Sequence, residues 1–199
     1  LNLMEAISRR GAYLALLLEY PQTLAQVARL ASASPWVSDY LTKHPILLDE
    51  LLDTRELYAA PDWPAQKVAL EKQLDEVAGD TERQMDVLRH FKQAQVFRLV
   101  AQDLADALSV EKLSDHLSDL ADLILAEVLR HAWLGLRTKH RDEPRFAIIG
   151  YGKLGGKELG YGSDLDIVFV YEDEHESAAE IYAAFVRKMI NWLTVKTGE

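Results

Sequence analysis

The chain has 199 residues, no cysteine and a formal net charge of −10. Its composition, 49% hydrophobic and 27% charged, is that of a folded globular protein and excludes a disordered or fibrous one. The lack of cysteine excludes disulfides, thiolate metal sites and cysteine nucleophiles, and the acidic balance argues against a broad nucleic-acid-binding face. Because neither a signal-peptide pattern nor an apolar run of membrane length is visible, we predict a cytoplasmic protein that binds neither nucleic acid nor membrane.

The first part of the chain is predicted to be helical almost throughout. An opening helix is expected over Asn2–Glu19, and it stops before Pro21 because the residue that precedes a proline disfavours the helical region. Ser34-Pro35 is typical of a helix N-terminus, and His44-Pro45 ends that helix. Since the chain begins at Leu1 rather than at a methionine, we expect it to be a piece of a longer protein.

Two long helices are predicted in the middle of the chain. Pro61 and Pro64 predict a loop around Trp63, and no proline follows until after Leu136. Apolar residues then recur at helical spacing, with a break near Leu108-Ser109. Two long helices joined by a short turn should pack antiparallel in a bundle.

The pattern changes near residue 141. The apolar run Phe146–Ile149 and the segment Asp166–Tyr171 predict two buried strands, and Ala178–Lys196 predicts a closing helix. The acidic run Glu172–Glu176 between them is predicted to be a solvated turn. The expected fold class is mainly α with a partial α+β domain: a helical bundle over 1–140, and the amino-terminal part of a second domain over 141–199.

A glycine-rich segment joins the two predicted strands, with six of the ten glycines in 150–162. Its Gly150-x-Gly152-x-x-Gly155 pattern matches the dinucleotide-binding fingerprint. That fold requires a crossover of at least ~10–12 residues between parallel strands, whereas here a short stretch interrupted by further glycines leads to Asp166. A Walker-type phosphate loop is excluded as well, since Glu158 stands where that motif requires Ser or Thr.

A nucleotidyl-transfer site accounts better for the same segment. Asp164 and Asp166 are two residues apart at the start of a strand, so their side chains project from the same side. Two such carboxylates can together hold Mg²⁺ for phosphoryl chemistry. The upstream glycines allow backbone N–H groups to approach a polyphosphate, while Lys153 adds positive charge and Ser163 a hydroxyl donor. An Asp-x-Asp pair is common, however, and the two aspartates could simply begin a strand or close a turn.

The whole segment Gly150–Asp166 resembles the signature of the bacterial bifunctional glutamine synthetase adenylyltransferase/adenylyl-removing enzymes. Three helical segments, Arg10–Pro21, His44–Asp53 and Leu88–Gln93, resemble the region that precedes one catalytic domain in this family. The resemblance therefore covers essentially the whole chain.

The resemblance implies two related nucleotidyltransferase domains of polymerase-β type in the family. One removes AMP from glutamine synthetase by phosphorolysis, and the other transfers AMP from ATP to a tyrosine. The Gly-Tyr-Gly and Ser-Asp-Leu-Asp forms seen here are similar to the transferring copy. By this resemblance Asp164 and Asp166 hold Mg²⁺, and the triphosphate of the substrate ATP is surrounded by Gly152, Lys153, Gly155, Gly156 and Ser163.

The resemblance also identifies what the chain lacks. The family's third catalytic carboxylate lies on a later strand, in an Asp-x-Arg-Leu-Arg-Pro context that nothing in this sequence matches. We therefore expect residues 1–199 alone to be inactive. The implied partners are glutamine synthetase and, as a further candidate, the PII signal protein. Two alternatives remain open: phosphorolytic removal of AMP, and a non-catalytic helical module for docking or signal relay.

Overall fold

The computed structural model describes residues 2–8 and 11–194. Within them the fold is mainly helical with a small α+β part, which confirms the predicted fold class. None of these residues forms a helix long and apolar enough to cross a membrane. The elements in chain order are α1 (Asn2–Ser8), α2 (Gly11–Glu19), α3 (Pro21–Ala33), α4 (Pro35–Lys43), a 3₁₀ helix (Pro45–Leu51), α5 (Thr54–Leu57), α6 (Trp63–Glu76), α7 (Thr81–Asp103), α8 (Val110–Leu134), β1 (Phe146–Gly150), α9 (Gly152–Gly155), β2 (Ile167–Tyr171) and α10 (Ala178–Thr194).

Prolines set the helix boundaries in the first part of the chain. Pro21, Pro35 and Pro45 each stand in the first turn of a helix, where the missing N–H has no intrahelical partner to lose. The predicted opening helix appears as α1 and α2, and its continuity at residues 9 and 10 lies outside the described residues. Ser34 precedes α4 with extended backbone, but its side chain makes no capping hydrogen bond.

The loop predicted around Trp63 is wrong. Trp63 is the first residue of α6, and the Asp62 carboxylate caps this helix by accepting a hydrogen bond from the Ala65 amide at 3.1 Å. Pro64 lies in the first turn, where proline is compatible with a helix. The Trp63 indole N–H donates to Nδ1 of His116 at 3.2 Å, which ties α6 to α8.

The two long helices, α7 and α8, are confirmed, with a break between residues 103 and 110. Near the start of α7 the side-chain amide of Gln84 lies 3.1 Å from Nδ1 of His131, near the end of α8. Because the start of one helix contacts the end of the other, the contact is that expected of antiparallel helices joined by a short turn. The His131 ring stacks on Trp192 of α10 at 5.8 Å between ring centroids.

The chain divides into two compact units. The first consists of Leu1–Pro61 and His90–Leu113, and the second of Asp62–Arg89 and Ser114–Glu199. In the first unit, α7 contacts the 3₁₀ helix through an ion pair, in which the Arg98 guanidinium lies 2.6 Å from the Glu50 carboxylate. The side-chain amide of Gln102, which is 2% exposed, donates to the carbonyls of Leu57 and Ala59. The predicted boundary between bundle and second domain at residue 140 stays a prediction.

The second unit packs one face of its two-stranded sheet on α10. The Phe146 ring lies 4.9 Å from Phe185 and 5.9 Å from Tyr182, between centroids. Trp133 at the end of α8 contacts the same two α10 rings, at 5.7 Å and 5.1 Å. This aromatic core fixes β1 between α8 and α10 and so positions the glycine-rich segment that follows it.

Candidate functional site

Strands β1 and β2 are antiparallel, with Phe146 opposite Tyr171 and Gly150 opposite Ile167. One more backbone bond, from the Tyr151 amide to the Asp166 carbonyl at 2.7 Å, extends the ladder into the glycine-rich segment. A dinucleotide-binding fold requires these strands to be parallel, with a helical crossover between them. The antiparallel pairing excludes that fold and explains why so short a connection is sufficient.

The two aspartates predicted to hold metal lie just before β2, which begins at Ile167 rather than at Asp166. Asp164 and Asp166 are both exposed, and they alternate with Leu165 and Ile167, which are partly buried. In extended backbone this alternation directs both carboxylates to the same, open side. The alternating exposure is that expected from the spacing, while the pairing of the two carboxylates and their role as metal ligands stay predictions.

The glycine-rich turn lies directly against one of these carboxylates. Gly152 has a φ of +52°, and a Cβ atom placed there would be 2.5 Å from Oδ2 of Asp166. A Cβ at Gly155 would be 2.6 Å from the carbonyl oxygen of Gly150. Both positions require glycine for close approach, so the turn folds tightly around the end of β1 and leaves its backbone beside Asp166.

The predicted phosphate-binding residues Lys153 and Gly156 lie in and after α9. This turn is held by the Gly156 amide, which donates to the Gly152 carbonyl at 3.0 Å, and by the Glu158 amide, which donates to the Lys153 carbonyl at 2.7 Å. The Lys153 residue is exposed, whereas its neighbour Leu154 is buried and anchors the turn. Lys153 is thus available to an anion, and its role in binding phosphate stays a prediction.

Ser163 closes a turn. Its Oγ accepts a hydrogen bond from the Gly160 amide at 2.9 Å, and its own amide donates to the Gly160 carbonyl at 3.1 Å. These bonds occupy one lone pair of the hydroxyl and leave its proton free to donate. The predicted role as a donor to phosphate is compatible with this geometry, and the hydroxyl also shapes the loop that leads to Asp164.

Tyr151 is a residue of the site that the sequence prediction did not include. It lies directly opposite Asp166 in the ladder, and residues that face each other across an antiparallel pair project from the same side of the sheet. The residue is 55% exposed, so an aromatic ring borders the carboxylate side of the site. Strand pairing was the missing signal, because register cannot be read from a single segment.

A buried carboxylate fixes the far end of β2, contrary to the prediction that Glu172–Glu176 is a solvated turn. The Asp173 side chain is 1% exposed. It accepts hydrogen bonds from the Tyr182 hydroxyl at 2.9 Å and the His175 amide at 3.1 Å. His140 Nε2, at 2.9 Å, and Arg141, at 3.1 Å, complete the cluster.

This environment determines the ionisation of the cluster. Burial by itself would raise the pKa of Asp173, but the hydrogen bonds from His175, Tyr182 and His140 and the charge of Arg141 outweigh it and hold the pKa at about 2. Burial and the hydrogen bond to Asp173 raise the pKa of Tyr182. The Tyr182 hydroxyl also accepts from the Arg145 amide at 3.0 Å, so the cluster joins both strands to α10.

The described residues contain no group of three or more His, Asp or Glu side chains arranged to hold a metal ion. The pair formed by Asp164 and Asp166 therefore stands without a third protein ligand in that part of the chain. The need for a further carboxylate stays a prediction.

Substitution of Gly152 tests the close approach of the turn to Asp166. We expect Gly152→Ala to lower the free energy of unfolding by about 1–2 kcal/mol, because an L-residue is strained in the left-handed region. The new methyl group should also displace the Asp166 carboxylate. Gly162→Ala is the matched control, since a Cβ there meets nothing within 4 Å. Urea denaturation of both variants checks this, and an equal loss in the two would contradict it.

Comparison with known proteins now decides the family. The family model for glutamate-ammonia ligase adenylyltransferase matches residues 24–199. The chain belongs to this family. The glycine-rich turn and the aspartate pair of this adenylyltransferase family member fall within the matched region.

Several known proteins are similar to this chain over its full length. It is 62% identical over 198 residues to the bifunctional glutamine synthetase adenylyltransferase/adenylyl-removing enzyme of Chromobacterium violaceum. It is 60% identical to the enzyme of the same name from Nitrosomonas europaea and 57% identical to that from Neisseria meningitidis. Each match covers 100% of this chain but only 22% of the relative. The chain thus corresponds to about a fifth of these longer adenylyltransferase-family proteins.

Proposed function

We propose that this chain is part of an enzyme that transfers AMP from ATP to a tyrosine of glutamine synthetase. The observation that carries the proposal is the placement of the exposed Asp164 and Asp166 carboxylates beside a glycine-rich turn, with Gly152 directly against Asp166. The names of the relatives, which are adenylyltransferases and adenylyl-removing enzymes of glutamine synthetase, support this substrate.

The aspartate pair fits a magnesium ion. Carboxylate oxygens are the ligands that Mg²⁺ prefers. Both side chains are exposed. Because Gly152 has no side chain, it does not fill the space next to Oδ2 of Asp166. Bound there, Mg²⁺ would offset the negative charge of the polyphosphate.

The remaining residues of the site bind and orient the nucleotide in this proposal. The ammonium of Lys153 supplies positive charge for the triphosphate, while the Gly155 and Gly156 amides, which donate to the Tyr151 and Gly152 carbonyls at 3.0 Å, hold the turn that presents it. The Ser163 hydroxyl donates its free proton to a phosphate oxygen, and Tyr151 offers a ring for stacking. The acceptor tyrosine oxygen forms a bond to the α-phosphorus as its hydroxyl proton passes to solvent. The bond between the α-phosphorus and the α–β bridging oxygen breaks, and pyrophosphate leaves. Positioning supplies most of the rate in such reactions.

The direction of the reaction is the finer part of the proposal. The Gly150-Tyr151-Gly152 and Ser163–Asp166 sequences resemble the transferring copy of the family, which favours transfer over phosphorolytic removal. Dependence on inorganic phosphate separates the two: removal of AMP requires phosphate, whereas transfer requires ATP. A non-catalytic module would do neither, and PII remains a candidate partner in all three cases.

Completeness of the catalytic centre can be tested directly. We expect a polypeptide extended by roughly 100–150 residues beyond Glu199 to label glutamine synthetase from α-labelled ATP and Mg²⁺, while the 199-residue chain gives no label above background. Transfer by residues 1–199 alone would contradict the need for a third carboxylate. Release of AMP only in the presence of phosphate would favour the removing activity.

A further inference from the structure

Within the part of the chain that the structure describes, the outer edge of β1 has unpaired backbone groups. Hydrogen-bonded and non-hydrogen-bonded positions alternate along an antiparallel pair. The bonds from Glu172 to Arg145 and from Tyr151 to Asp166 mark Arg145 and Tyr151 as positions bonded to β2. Two strand residues between them, Phe146 and Ile148, must therefore direct their N–H and C=O groups away from β2.

These outward groups meet no hydrogen-bond partner among residues 2–8 and 11–194. A free edge of this kind is a template for an additional strand. Gly150, the next residue of the same phase, is covered instead, because Gly155 folds against its carbonyl. The open edge is thus limited to Phe146 and Ile148.

A cleft of about 490 Å³ lies along this edge. Helix α8 forms its opposite wall with Leu125, Ala126 and Leu129, and Asp122 lies on the same wall. Ala126 and Asp122 are exposed, and Asp122 has no ion-pair partner among the described residues. The cleft therefore offers an extended chain backbone partners on one side, an apolar surface on the other and a carboxylate for a basic side chain.

The cleft ends at the glycine-rich turn. Leu154 and Gly155 of α9 line its end, and Gly152, at the start of the same four-residue helix, lies against Asp166. Successive strands of a sheet are about 4.8 Å apart, so a strand added to β1 would run about 10 Å from β2. A segment leaving the cleft at α9 would thus emerge beside the turn whose Gly152 lies against Asp166.

We propose that this cleft binds an extended segment of the protein substrate, with apolar residues at alternate positions and one basic residue, as an added strand on β1. The inference rests on the proposed function, because the occupant is the protein whose tyrosine receives AMP. An edge of two residues is too short to hold a permanent subunit, whereas a substrate must dissociate after each turnover. The acidic Asp122 selects a segment with a positive charge.

The test uses the extended polypeptide with glutamine synthetase as the protein substrate. Ala126→Arg fills the cleft and Asp122→Lys reverses its charge; Asp115→Lys on the same helix, exposed but outside the cleft, is the matched control. We expect each cleft variant to raise the KM for glutamine synthetase about tenfold, with kcat and the KM for ATP within about twofold of the unsubstituted enzyme. The control should leave all three parameters unchanged.

A second experiment isolates the backbone pairing. A synthetic peptide spanning the acceptor tyrosine should inhibit transfer, and N-methylation of alternate amides should abolish inhibition in one of the two phases but not in the other. Equal loss in both phases would overturn strand addition, as would an unchanged KM in the cleft variants of an active enzyme. A lowered kcat together with a lowered Tm in the cleft variants would also overturn it. Such losses would indicate that another segment of the polypeptide itself occupies the cleft and covers the edge. If the unsubstituted enzyme transferred no AMP to glutamine synthetase, the proposed function would fail as well.

Discussion

Asp166→Asn is expected to reduce AMP transfer by the extended polypeptide at least about 100-fold. Asparagine keeps the shape of the side chain but removes one negative charge from the pair that would hold Mg²⁺, and losses of charge stabilisation at the reacting phosphate are of this size. Asp164→Asn should behave similarly, because the two carboxylates share one side of the strand. Initial rates of label transfer, measured across a range of Mg²⁺ concentrations, check the expectation.

Glu172→Gln is the matched control for this substitution. Glu172 is an exposed carboxylate directly after β2, at the end opposite to Asp166. Its substitution therefore removes one negative charge, as Asp166→Asn does, but away from the glycine-rich turn. Its activity should stay within about twofold of the unsubstituted enzyme. If Asp166→Asn and Glu172→Gln reduced the rate equally, the aspartate pair would have no special role and the metal-site proposal would be wrong.

Acid should destabilise the 199-residue chain through Asp173. The pKa of this carboxyl is about 2 in the folded protein, against 3.8 ordinarily, so the folded state favours the charged form. Its contribution to stability is complete above about pH 4 and is lost as the pH falls from 3.8 towards 2. Urea denaturation at a series of pH values should show stability falling through this window.

The variant Asp173→Asn separates this contribution from that of other carboxyl groups. At pH 7 the variant should melt several degrees below the unsubstituted chain, because Tyr182, His140 and Arg141 lose the anion that they contact. The difference should shrink as the pH falls through about 2, because the Asp173 carboxyl then becomes protonated and is neutral like the amide that replaces it. Glu174→Gln, an exposed neighbour, is the control; a difference between Asp173→Asn and the unsubstituted chain that did not vary with pH would contradict the assignment.

Much of the fold could be predicted because its signals are local. Prolines 21, 35 and 45 lie where helices begin, and β1 contains the predicted apolar run Phe146–Ile149 and extends one residue further, to Gly150. Trp63 was mispredicted because two nearby prolines suggest a loop, although proline is stable in the first turn once Asp62 caps the helix. A boundary signal of this kind depends on the cap as well as on the proline.

The site was predicted less completely, since part of it depends on register and burial. The spacing of Asp164 and Asp166 determines their shared side, which a sequence reveals directly. The position of Tyr151 opposite Asp166 depends on strand pairing, and the burial of Asp173 depends on α10 and residues 140–141. Charge runs predict solvent exposure on average, but they cannot distinguish the one carboxylate that neighbouring elements enclose.

The division of α7 and α8 between the two compact units has a consequence for how the chain opens. Residues 81–89 of α7 belong to one unit and residues 90–103 to the other, while α8 changes unit after Leu113. Each helix is continuous through that change, so unfolding of either unit removes the helical hydrogen bonds of residues that the other unit retains. In α7 the amides of residues 90–93 donate to the carbonyls of residues 86–89, so their hydrogen exchange should follow whichever of the two units opens more readily.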